Sequence, residues 1–93
     1  MSKFREKRYE LAQLQQCVQK EITHLLSTQK ELKGAFEDLE NGLYSKDEQQ
    51  REAFKVRIAT KHDSLNDLIK QKRQEQQDIV DQINIVDLEL LLE

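Results

Sequence analysis

The chain has 93 residues, 35% of them charged and 37% hydrophobic, with no proline, two glycines and a net charge of -3. That length holds one domain, 1–93, and the composition is that of long helices. An aromatic content of 5% without tryptophan excludes a thick multilayer core and, with it, a deep substrate cleft.

The N-terminal stretch MSKFREKRYE carries basic residues with no apolar segment behind it, so no secretory signal is expected. From Lys3 to Asn41 only Gly34 interrupts a helical pattern. Phe4, Leu11, Val18, Leu25, Leu32 and Leu39 recur every seven residues, and a second row at Arg8, Gln15, Ile22, Gln29, Phe36 and Leu43 lies four residues on. Two such rows make the seam of a coiled coil, and they predict one helix over 3–41. Gly42 then stops the helix in a turn over 42–45, and Ser45 with Glu48 three residues on reads as a capping box.

A second helix over 46–91 follows, with Ile58, Leu65, Lys72, Ile79 and Val86 in one row and His62, Ile69, Gln76, Ile83 and Leu90 in the other. Ser64 to Asp67 could cap a new helix, so a break near His62 is the alternative to continuity. The two halves match when the chain folds back. Residues whose numbers add to 90 or 91 pair apolar with apolar, as in Leu11 with Ile79, Leu32 with Ile58 and Phe36 with Phe54. Gln15 falls opposite Gln76, and Gln29 opposite His62. The basic start and the acidic end support this register, with Lys3 near Asp87 and Arg8 near Asp81 or Asp78. The expected fold is all-α, a long antiparallel two-helix hairpin with arms of ~60 Å, completed to a four-helix bundle by dimerisation.

Off-seam apolar residues mark where a partner would bind: Leu14, Val80, Ile85, Leu88, Leu91 and Leu92. In the fold-back register the residues beyond about 87 have no partner in the same chain, which leaves Leu88, Leu90, Leu91 and Leu92 exposed. Burying such leucines is worth ~1.5 to 3 kcal/mol each by transfer bookkeeping.

The remaining chemistry is sparse. Glu21 and His24 have the Glu-x-x-His spacing of di-metal bundles, but the other histidine, His62, has Ala59 where the second carboxylate would be. No metal, cofactor or catalytic residue is expected. Cys17, the single cysteine, excludes an intrachain disulfide and points to a reducing compartment, with the cytoplasm as the expected location. It reads as a small buried apolar group, too far from His24 to be a nucleophile beside its base. The basic stretches are interleaved with carboxylates, unlike the one-signed stripe of a nucleic-acid binder. No membrane segment is expected, because the apolar tract 79–92 is short and holds Asp81, Asp87 and Glu89.

No motif carries a family resemblance. The leading expectation is a non-enzymatic protein-interaction module, a structural or adaptor subunit that self-associates or docks on a helical partner. The alternative is a small helical chaperone, of the kind secretion systems use, shielding an aggregation-prone client. A third reading makes the chain an oligomerisation arm of a longer protein.

Overall fold

The computed structural model describes residues 2–93. It consists of two long helices, α1 (Lys3–Glu40) and α2 (Glu48–Leu92), with no strand among the described residues. They pack against each other as a hairpin. Gly34 lies within α1 without breaking it, and α2 runs through His62 and Ser64 without the interruption that Ser64 could have started.

The turn is built by local hydrogen bonds. At the end of α1, the Leu43 N–H donates to the Asp38 carbonyl (2.9 Å) and the Gly42 N–H to the Leu39 carbonyl (3.1 Å). These are the paired bonds of a Schellman motif, and Gly42 at φ 83° supplies its left-handed residue. Leu43 is thereby carried out of the helix and left 54% exposed, so it does not extend the seam row expected of it. The second helix starts two residues later than expected, because Asp47 rather than Ser45 caps it. Asp47 Oδ1 accepts from the Gln49 and Gln50 N–H groups at 3.0 and 3.5 Å. Ser45 works one step outside, accepting from the Asp47 N–H and donating to Gln50 Oε1. A carboxylate at this position also faces the positive end of the helix dipole, which a hydroxyl answers less well.

The chain divides into two compact units. The terminal unit joins the residues up to Thr23 with Lys70–Glu93. Its core is Leu11, Val18, Ile22, Ile79, Ile83 and Val86, all buried, with Phe4 and Leu90 packed against them. Leu90 therefore has neighbours within its own chain, contrary to the expectation that everything past residue 87 would lack them. The turn unit spans His24–Ile69. Leu39, Leu65 and Ile69 are buried there, but Leu25, Leu32, Phe36 and Ile58 are only half-buried. Every seam position from 4 to 39 and from 58 to 90 is buried or half-buried, as the seven-residue rows predict.

One pairing in the turn unit changes. Phe54 is exposed, and Phe36 instead meets Lys55, whose Nζ lies 5.1 Å from the ring centre. Lys55 also reaches Glu40 at 3.6 Å and Glu52 at 3.5 Å. The seven-residue row that runs back from Ile69 and His62 arrives at 55, so helical phase, not apolarity, decides which residue enters the seam.

Four side-chain contacts across the helices follow a different level from the apolar ones. Arg8 pairs with Asp87, Gln19 with Gln76, Gln29 with Asn66 and Glu40 with Lys55. In each case the residue numbers add to 95, one helical turn beyond the register of the apolar layers. Side chains on a helix lean toward its own N-terminus. In an antiparallel pair both partners lean, so two long side chains meet at their tips when their Cα atoms are offset by up to about two residues each; Lys72 and Glu21, whose numbers add to 93, meet with a smaller offset. Arg8 consequently bonds Asp87 rather than Asp81 or Asp78, and Gln76 donates to Gln19 rather than Gln15. Gln29 Nε2 donates to the His62 backbone carbonyl (3.2 Å) and to Asn66 Oδ1, not to the imidazole.

Candidate partner-binding surfaces

In the terminal unit the seam divides the surface into two flanks. Residues that follow a seam position by one lie on one flank, and residues that precede one lie on the other, because successive residues turn by 100°. The ion pair Arg8–Asp87 (2.8 Å) and the Gln76–Gln19 bond (2.6 Å) mark the first flank. The pair Lys72–Glu21 (2.6 Å) marks the second.

This geometry separates the six residues singled out for partner binding. Val80 and Leu91 belong to the first flank, where Tyr9 joins them; Leu91 is 80% exposed and Val80 half-buried. Leu14, Ile85 and Leu92 belong to the second flank and are all exposed. Leu88 sits on the back of α2, two residues from either neighbouring seam position, and is 56% exposed. They do not converge on one patch. Tyr9, missed in the sequence reading, stands one residue after seam position Arg8, and that spacing is the signal that finds it.

The other predicted features are placed as follows. Cys17 is exposed, not buried, because it precedes seam residue Val18 and points to the second flank. Glu21 is engaged by Lys72, and the hydrogen bond to Glu21 raises the lysine above its ordinary pKa against the opposing effect of desolvation. His24 is exposed, and its backbone carbonyl accepts from Thr28 Oγ1. No group of three or more His, Cys, Asp or Glu side chains among the described residues could hold a metal ion. No described helix is long and apolar enough to cross a membrane.

The turn unit carries a groove of about 350 Å³ on the flank that follows the seam. Leu32, Phe36 and Ile58 form its floor, with Ala59 and His62 beside them and Glu37, Glu40 and Asp63 at its rim. Ala59 leaves the groove open, since a larger side chain one residue after Ile58 would cover the half-buried seam. No protein-family model matches the chain, and no curated protein and no solved structure is significantly similar to it.

Proposed function

We propose that this chain is a non-enzymatic helical-hairpin interaction module that completes a four-helix bundle with a second copy or docks on a helical partner. The observation that carries this reading is the set of exposed apolar residues in the terminal unit, Leu14, Ile85, Leu88, Leu91 and Leu92, beside a seam that is already filled. The hairpin does not need them for its own core. A two-stranded helical pair buries one stripe per helix, and proteins with so thin a core gain their stability by association. Helix-on-helix burial of several leucine-sized groups supplies ~1.5 to 3 kcal/mol each, enough for a specific interface.

Sedimentation across a concentration series tests this. The expected result is a mass rising above the 11.1 kDa of one chain, returned to one chain by Ile85→Asp with Leu88→Asp while helicity is kept. A single-chain mass at all concentrations, with no helical partner retained from the native cell, overturns it.

The half-open groove floored by Leu32, Phe36 and Ile58 favours a second reading, the chaperone, in which a client helix lies on exposed apolar seam. There the homo-oligomer would be exchangeable, and client would displace it. Capture with and without Leu88→Asp and Leu91→Asp separates the two, since a scaffold keeps the leucine interface in its final assembly.

A further inference from the structure

Charge is sorted between the two flanks of the terminal unit. On the first flank Arg5, Lys70 and Arg73 are exposed and make no ion pair among the described residues, and the one carboxylate, Asp87, is held by Arg8. On the second flank Glu10, Asp78 and Glu89 are exposed and likewise unpaired, and Glu75 and Glu21 share Lys72; Lys3 and Lys7, at its N-terminal end, are the two opposing charges free of any ion pair among the described residues, so carboxylates still outnumber cations there. Each flank also exposes large apolar groups, Tyr9 and Leu91 on the basic side, Leu14, Ile85 and Leu92 on the acidic side. The turn unit has no such sorting, since Lys30 and Lys33 share a flank with Glu37 and Asp63 while Arg57 and Lys61 share one with Glu31 and Asp38.

We infer that two copies of this chain associate through unlike flanks, the acidic flank of one terminal unit on the basic flank of the next. This rests on the self-association part of the reading above and replaces its closed two-chain bundle with a contact between stated surfaces. Joining like flanks would lay one face carrying Glu10, Asp78 and Glu89 on another of the same net sign, or one carrying Arg5, Lys70 and Arg73 on its like. Joining unlike flanks turns the same charges into a complementary rim around apolar contacts, with Tyr9 and Leu91 laid against Leu14, Ile85 and Leu92. Such a contact is heterologous. Each added copy presents a fresh flank of either sign, so the assembly grows into a ring or an open stack rather than stopping at two.

Two charge-reversed variants test the pairing in the full chain. One carries Arg5→Glu, Lys70→Glu and Arg73→Glu, and the other Glu10→Lys, Asp78→Lys and Glu89→Lys. All six positions are exposed, so circular dichroism should report unchanged helicity. Wild-type mass is expected to climb past two chains with concentration and to fall as salt rises above about 0.15 M. Each variant alone has two flanks of one sign and should associate at least about tenfold more weakly, and an equimolar mixture should recover wild-type affinity to within about threefold. If one variant associates like wild type while the other does not, like flanks meet and the inference fails although self-association stands. A mixture that stays dissociated also overturns it. Wild type that remains a single chain throughout overturns the self-association reading and this one with it. Should a triple variant lose helicity, Arg73→Glu mixed with Asp78→Lys makes the same comparison.

Discussion

Arg8 Nε donates to Asp87 Oδ1 at 2.8 Å, although the residue level with Arg8 in the apolar register lies one turn earlier in α2. The offset comes from both side chains leaning toward the N-termini of oppositely directed helices. A double-mutant cycle on Arg8→Ala and Asp87→Ala should therefore return a coupling of ~0.2 to 1 kcal/mol, the range of exposed pairs. The same cycle on Arg8 and Asp81 should return about zero. Equal coupling for the two carboxylates would show that the lean does not select the partner.

Packing should be tighter in the terminal unit than beside the turn. Ile22 is 3% exposed, so Ile22→Ala should cost ~2 to 5 kcal/mol, a large share of the ~5 to 15 kcal/mol typical of a domain. Leu32 is half-buried on the groove floor, and Leu32→Ala should cost only ~1 to 2 kcal/mol. Chemical denaturation of the two variants measures this, and native-state hydrogen exchange should find the slowest amides around Val18–Ile22 and Ile79–Val86.

The two glycines should respond with opposite signs. A Cβ at Gly34 meets nothing within 4 Å, so Gly34→Ala should stabilise the protein by ~0.5 to 1 kcal/mol through helix propensity alone. Gly42 holds φ 83°, and Gly42→Ala should destabilise by ~1 kcal/mol or more. Tyr44 is a non-glycine residue at φ 71°, so Tyr44→Gly should be stabilising by ~1 kcal/mol. Thermal midpoints would rank the three, each kcal/mol moving a domain of this size by about 4 to 8 °C.

Lys72 should add a pH dependence to the hairpin's stability at the alkaline end. The Glu21 carboxylate 2.6 Å away raises the folded-state pKa of Lys72 above the ordinary 10.5, so folding favours the protonated lysine. The resulting stabilisation is complete below 10.5 and is lost as pH climbs through the raised folded value. Thermal midpoints followed from about pH 9 to 12 should fall more steeply for wild type than for Lys72→Met. Parallel curves would mean that the Lys72–Glu21 pair does not contribute to stability.

Gathering the polar and apolar residues of α1 and α2 into seven-residue rows was enough to set the number of helices and their antiparallel course, while the connection between them is longer than the expected 42–45 because Asp47 caps α2. Gly42 was enough to mark the end of α1. Those properties are local or periodic: helical phase fixes which side chains share a face, and a left-handed residue stops a helix wherever it sits. The choice of Lys55 over Phe54 beside Phe36, the partial burial of Leu90 and the exposure of Cys17 follow from the same rows once they are carried through to positions 55, 90 and 18, whereas the shift of Arg8 to Asp87 was decided in three dimensions. That shift depends on where a side chain's tip falls relative to a second helix, which is set by the direction it leaves its own backbone and not by its place in the row. The sorting of Leu14, Ile85 and Leu92 from Val80 and Leu91 has the same origin, because a flank exists only once two helices lie side by side.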